Sequence, residues 1–586
     1  MLVLAWTGCV RREPRADLVI LNGAEIESLD PAIVTGQPDL RAVAALFEGL
    51  LRNDPANGQP IPGLAGRWDI SSDGRVYTFH LRPDAVWSTG EPITAADVVY
   101  SWHRVLDPAT ASDYAGQLFP VRNAEAYNSG RLKDPGQVGV RALDPHTVRV
   151  ELEQPTAYFL DLCAFPTLAV VPRQTIQRHG DRWILARPLP VSGAYELVAW
   201  RLNDKIRLCK NPRYWDAAHT RTGLIDLLPV GSASAALNLY MTGGADIAWD
   251  KELVPVDLVD ALMTRPDFHT YDYLGTYFIR FNVTRKPFND PRVRRALALA
   301  IDKQRIVQRI TRAGERVASS LCPSGMAHYQ PPDGLGYDPA EARRLLAAAG
   351  YPGGKGFPAF DYLFNSAAGG AANMHQKIAV EFQQMWESQL GIHVDLRQTE
   401  WKVYLEAQSR LDYDTCRSSW IGDYDDPNTF LGMFTSDNGN NRTGWTNAMY
   451  DHLLRAANRQ IDPVPRRRLL QQAETLLVRD EVPIIPIFFY KGMNYFDARS
   501  IHGIYLDHNL LDLHPLNAIW KTPAQAPART QDLPRAARTP RDGIPHLVSL
   551  HPGPLGSSRR QPALTASGQS VSGRTSAATG FASCTF

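Results

Sequence analysis

"MHQKIAVEFQQMWESQLGIHVDLRQTEW", residues 374–401, holds both kinds of regular structure in one short span. It reads as a helix ended at Gly391, then a strand that arrives at Trp401. The alternation recurs along the chain. "RVYTFHLRP" (75–83) puts Tyr77, Phe79 and Leu81 on one face at period two, and "TVRVELEQP" (147–155) does so with Val148, Val150 and Leu152. "DPRVRRALALAIDKQRIVQRI" (290–310) has helical apolar spacing with Pro291 near its start, and "DPAEARRLLAAAGYPGG" (338–354) is a helix ended by Gly350. The pattern predicts a mixed α/β protein with antiparallel as well as parallel pairing.

The chain has 586 residues, more than one ordinary core, so several lobes are expected. A formal net charge of +1 gives no basic excess for nucleic acid. Thirteen tryptophans and twenty-two tyrosines, without basic stripes, suit a binder of small molecules or peptides. The cysteines are scattered, with no CxxC and no Cys/His cluster, which argues against a zinc site. No GxSxG, HExxH or Walker A sequence is present, so the chain reads as a non-enzyme without metal or cofactor.

At the start, "MLVLAWTGCVRREP" carries a short apolar run into Thr7-Gly8-Cys9, resembling a bacterial lipoprotein signal with Cys9 as the acylated residue. No other stretch nears the roughly 18 to 20 apolar residues of a membrane span. From Lys521 onward proline, alanine, arginine, serine and glycine dominate, and residues 521–586 read as a disordered tail.

"RSSWIGDYDDPNTFL" (417–431) gathers an arginine, a tryptophan and three aspartates. Counted from Asp423, an EF-hand needs glycine at the sixth position and glutamate at the twelfth; Asn428 and Phe434 stand there. Asp425 and Asp426 precede Pro427 and read as turn formers. Asp423 either caps a turn or neutralises a ligand cation among aromatics.

The chain resembles the oligopeptide-binding proteins, the solute receptors of bacterial ABC peptide importers. The likeness runs in order through "SLDPAIVTGQPDLRAVAALFEGLLRNDPANGQPIPGLAGRW" (28–68), "YTFHLRPDAVWSTGEPITAADVVYSWHRVLDPATASDYA" (77–115), "SGAYELVAWRLNDKIRLCKNPRYWD" (192–216), "FNDPRVRRALALAIDK" (288–303), "EWKVYLEAQ" (400–408), the aspartate loop and "DEVPIIPIFFY" (480–490). The resemblance implies a two-lobed periplasmic-binding-protein fold of type II with an accessory domain. Lobe I would comprise 17–48, 170–274 and 488–520; the accessory domain 49–169; and lobe II 275–487, after a signal remnant at 1–16.

By the same resemblance Asp423 pairs with a peptide's α-amino group, and Arg417 and His375 meet its carboxylate end. Trp401, Trp420, Tyr114, Tyr277 and Trp249 would line side-chain pockets. Backbone of Thr35, Gly36 and Gln37, and of Ser419 through Ile421, would pair with the ligand as an added strand. The implied partners are short peptides and the permease and ATPase subunits of an importer, with a lipid anchor as the only membrane contact, for a monomer in the periplasm or cell envelope. A receptor for a nickel chelate, haem or sugar, or a chaperone or signalling homologue, shares the architecture. Thr35 stands where the family often has glutamate. Gly275 and Ile421 stand where its best-known members carry a disulfide, so that bridge should be absent. Asp250 replaces a neutral amide and Gln408 an arginine.

Overall fold

Two long strands, Phe268–Phe281 and Ile484–Phe496, run antiparallel through the middle of a large mixed sheet. The computed structural model describes residues 13–326, 329–366 and 371–522. Cys9 lies outside them, as does the expected tail from residue 523 onward. Regular structure reaches further than the composition suggested. Trp520–Lys521 pairs with Ile501–His502, and Lys521 Nζ forms an ion pair with Asp246. Lys521, expected in the tail, therefore belongs to the folded body, and Thr522 bonds it further through its N–H to the Ser500 carbonyl.

Among the described residues the large sheet has eleven strands. On one side of the central pair lie Thr415–Ile421, Phe360–Asn365 and Val394–Thr399; on the other Ile247–Trp249, Leu18–Leu21, Leu224–Leu228, Lys205–Lys210 and Tyr195–Arg201. The short Arg316–Val317 joins the Ile484–Phe496 strand. Leu18–Leu21 is parallel to both neighbours, as is Phe360–Asn365, while the central pairs are antiparallel. This is the mixed α/β architecture expected. The ladder between the long strands breaks register between Asp272 and Thr276, and each half of the sheet has its own apolar core.

A separate four-stranded antiparallel sheet carries Ala65–Ile70, Val76–Leu81, Thr147–Glu151 and Val140–Asp144. Tyr77, Phe79 and Leu81 are buried as the period-two pattern required, and so are Val148, Val150 and Leu152. They pack on Trp102, whose helix Ala95–Leu106 starts with a Thr94/Asp97 capping box.

The opening segment folds as read, with helix Ala371–Leu390 and strand Val394–Thr399. Gly391 between them has φ +67°, and a Cβ there would lie 2.7 Å from the Gly353 carbonyl oxygen, so glycine is required. Residues 290–310 differ from one continuous helix. Asp290 caps helix Pro291–Leu299, which stops before Asp302 caps a second short helix, Lys303–Ile306. An aspartate that can satisfy a backbone N–H of its own restarts the helix instead of continuing it.

Candidate functional site

The Thr415–Ile421 strand is held by Phe268–Phe281 along one flank over its full length. On its other flank Phe360–Asn365 pairs only with Thr415 and Cys416. Beyond that point Arg417, Trp420 and Ile421 line a cavity of about 750 Å³. Its walls also include Thr35, Gly36, Gln37, Tyr114, Asp161, Lys251, His375, Trp401 and Asp423. Ten of the residues expected at a ligand site thus converge on one space: Thr35, Gly36, Gln37, Tyr114, His375, Trp401, Arg417, Trp420, Ile421 and Asp423.

Three do not line it. Trp249 is buried with its ring 5.0 Å from that of His514, under the Arg41 guanidinium. Tyr277 is fully buried, stacked on Phe488 at 4.8 Å. Ser419 is buried opposite Tyr277 in the strand ladder. Ser419 lies between two cavity residues of the same strand, Arg417 and Ile421, so strand alternation alone does not separate the lining residues from the buried ones. These three support the wall from behind.

The strand leads into the aspartate loop through Gly422, whose N–H donates to the Leu274 carbonyl at 2.7 Å. A Cβ at Gly422 would stand 2.6 Å from Leu274 Cδ2, so a side chain would push the loop away. The three aspartates then separate by partner. Asp426 accepts both guanidinium nitrogens of Arg466 at 2.7 and 2.8 Å, and the Asn428 N–H at 2.9 Å. It holds the turn. Asp425 accepts from Gln59 Nε2 at 3.3 Å. Tyr424 stacks face to face on Tyr158 at 4.7 Å.

Asp423 faces the cavity. Its N–H donates to Thr429 Oγ1 at 3.1 Å, and its carboxylate accepts long hydrogen bonds of 3.4 Å from Tyr114 Oη and Gln117 Nε2. Part of its own surface remains open to the cleft, but protein surrounds it. Burial pushes its carboxyl up to about 7, only partly opposed by the two donors, and no cation among the described residues compensates it. Nearby Asp161, missed in the sequence because nothing local marks it, is also pushed up to about 7, by burial and then by Asp426 and Asp425.

The opposite charge lies further along the strand. Arg417 is buried, donating to Tyr490 Oη at 3.3 Å and Asn365 Oδ1 at 3.4 Å, with its guanidinium 5.3 Å from the Tyr277 ring. Among the described residues no carboxylate pairs with it. The Tyr404 hydroxyl and Gln408 both donate to the Arg417 carbonyl and fix that turn of strand. Gln408 is therefore a backing residue and not a ligand contact. Burial, then the charges of Arg417 and Lys251, hold His375 well below the usual imidazole range, so it is neutral, and its Nδ1 has no partner among the described residues. Trp401 stacks on Tyr404 at 5.5 Å, and the Trp420 indole N–H is likewise unpartnered. Among the described residues no cluster could hold a metal ion, and no helix is long and apolar enough to cross a membrane.

Comparison with known proteins gives a consistent picture. The family model for bacterial extracellular solute-binding proteins, family 5, middle, matches residues 59–442. The periplasmic oligopeptide-binding protein OppA of Salmonella typhimurium is 36% identical over 491 residues, covering 82% of this chain and 88% of that one. A probable deoxycholate-binding periplasmic protein of Escherichia coli, YgiS, is 36% identical over 481 residues, covering 80% and 87%. Among solved structures, a periplasmic oligopeptide-binding protein of Borrelia burgdorferi superposes with a TM-score of 0.75 at 31% identity, covering 87% of this chain and all of that one.

Proposed function

This chain belongs to the bacterial extracellular solute-binding proteins of family 5, and we propose that within that family it captures short peptides in its cleft and delivers them to an ABC-type importer. One observation carries the reading. The cavity is lined by an uncompensated carboxylate, Asp423, and by an uncompensated guanidinium, Arg417, six residues earlier in the chain. A free peptide is a zwitterion whose two ends supply both missing charges. Each charge-assisted contact would contribute about 1.5–3 kcal/mol. Between them, the strand beyond Cys416 is not paired by Phe360–Asn365 and borders the cavity at Trp420 and Ile421, where main-chain contacts would not depend on ligand sequence.

Nothing in this scheme asks the chain for chemistry, which suits a receptor. The lobes would meet at about 274–275 and 487–488, close to the register break of the long strands between the Asp272–Lys491 and Thr276–Phe489 pairs, with residues 49–169 as the accessory domain. Tyr114 and Gln117 reach Asp423 from that domain, and Thr35–Gln37 face it from the first lobe. A ligand touching all three favours the closed arrangement. The matching compartment is the periplasm or cell envelope, with Cys9 as the lipid attachment point on the outer face of the cytoplasmic membrane.

The test is mass spectrometry of ligands released by denaturing the purified protein, paired with calorimetry. Short peptides in the eluate, and affinity for free peptides lost on N-acetylation, support the reading. An eluate of bile acid or another non-peptide solute, or equal affinity for acetylated and free peptides, overturns it.

A further inference from the structure

We propose that Lys251 is a second cationic anchor for the ligand's terminal carboxylate, acting with Arg417 from the facing wall of the cavity; this rests on the peptide reading above. Lys251 follows the Ile247–Trp249 strand, which is tied to Leu18–Leu21 and to Asn494–Phe496, in the other half of the sheet from Arg417. Both side chains line the cavity. Tyr490 stands between them: Arg417 Nη2 donates to its hydroxyl at 3.3 Å, and Lys251 Nζ lies 5.6 Å from its ring centroid and 5.9 Å from that of Tyr273. His375, 4% exposed and lining the same space, feels both charges and leaves Nδ1 unsatisfied. Two cations and an orphaned imidazole nitrogen therefore converge where a ligand oxygen pair would be received.

The acids around this end also hold other donors, although the charges of Glu252 and Asp250 both act on the Lys251 ammonium. Asp250 accepts the Glu252 N–H at 2.9 Å. Glu315 accepts from Thr311 Oγ1 at 2.7 Å and the Ala313 N–H at 2.9 Å. Asp512 is bound by His514 Nε2 at 2.8 Å. Glu252 is the nearest carboxylate to the Lys251 ammonium at 3.7 Å, and with 40% of its side chain exposed it makes a loose pair. A compact point charge with three donors on a flexible stem can still reach the cavity. A carboxylate held by Arg417 on one wall and Lys251 on the other also joins the two halves of the sheet, so this contact would favour the closed state as well as set ligand length. At about 3.3 Å per residue, Arg417 and Asp423 lie no more than roughly 20 Å apart, which limits an extended peptide spanning both to about six residues.

The experiment is calorimetry on the full chain with tri-, tetra- and penta-alanine, each as free acid and as C-terminal amide. For wild type, amidation should weaken the best-bound length by about tenfold or more. Lys251→Met should weaken the free acid by about tenfold while leaving the amide within about twofold, so that the amidation penalty shrinks; Lys251→Arg should restore it. Thermal melting of each variant checks folding, and Lys251→Gln replaces the methionine variant if that one does not fold. Equal losses for acid and amide, or no loss for either, overturn the assignment. If N-acetyl-tetra-alanine is rejected while Lys251→Met treats acid and amide alike, Lys251 alone is misassigned. If no alanine peptide binds in any form, the peptide reading falls with it.

Discussion

Gly275 lies directly opposite Ile421 in the antiparallel ladder, and a Cβ on the glycine would meet Ile421 Cδ1 at 2.4 Å. The position that resembles a disulfide site in related receptors is filled here by one side chain reaching into the space its partner lacks. Gly275→Ala alone should therefore overpack the site and cost about 1–3 kcal/mol in urea unfolding. Changing both, Gly275→Cys with Ile421→Cys, removes the obstruction. The double variant should oxidise to a bridge and gain roughly 2–4 kcal/mol over its reduced form, read from melting with and without reductant. Free thiols persisting under oxidising conditions would show that the pair is too far apart or misaligned.

Asp423 makes binding dependent on pH. Its carboxyl sits at about 7 in the empty protein, whereas an ammonium partner favours the ionised form and lowers it. Below pH 7 the ligand must displace a proton, so affinity for free peptides should fall by up to about tenfold per pH unit until the bound-state value is reached. Asp423→Asn should flatten that dependence and weaken binding by one to several powers of ten. Stability runs the other way. A carboxyl raised above its unfolded value of about 4 holds its proton longer when folded. Its contribution is full below pH 4 and is lost as pH rises through about 7. Calorimetry from pH 5 to 8 on wild type and Asp423→Asn decides the matter.

Arg466 and Asp426 form a buried two-pronged pair, with side chains 10% and 12% exposed. Removing one partner strands the other's charge. Arg466→Met should cost about 3–5 kcal/mol, whereas Arg466→Met with Asp426→Asn should recover part of it. The single variant should also weaken peptide binding, because the turn that presents Asp423 hangs on this pair. Urea melts and calorimetry on the three proteins would show whether stability and binding move together.

A chain ending at Thr522 should melt and bind like the full chain. One ending at Ile519 should not. It loses the Trp520–Lys521 strand, the Lys521–Asp246 ion pair and the Thr522 N–H to Ser500 carbonyl hydrogen bond of 2.8 Å. A lowered melting temperature for the shorter chain alone would place the boundary there; equal melting of all three would make the last strand superfluous.

Local pattern made the elements legible. Tyr77, Phe79 and Leu81 alternate, Gly391 stops a helix, and each burial followed. Ordered resemblance made Asp423 and Arg417 legible as cavity residues. Aromatics were harder, since Tyr277 and Trp249 carry the same composition signal whether they face a ligand or a core, and only strand register separates them. Lys251 gave no signal at all. Its placement depends on the pairing of Ile247–Trp249 with Asn494–Phe496, residues almost 250 positions away. The role of Gln408 was equally silent, because its buried bonds to Tyr404 and the Arg417 carbonyl come from packing that no spacing announces.

That long-range pairing also governs when the protein can exist. The Tyr195 hydroxyl donates to the Leu516 carbonyl, Thr222 Oγ1 to that of Ile519, and the Ile247–Trp249 strand needs Asn494–Phe496 beside it. The Thr222 hydroxyl and the Ile247–Trp249 strand, from the first half of the chain, thus take partners from residues 494–519. A ribosome making this chain would have to pass residue 496 before the Ile247–Trp249 strand could pair on that side, and contacts of such separation close slowly. The nascent polypeptide would remain threadable until synthesis is almost finished, a property that a secretion channel accepting only unfolded chains could use.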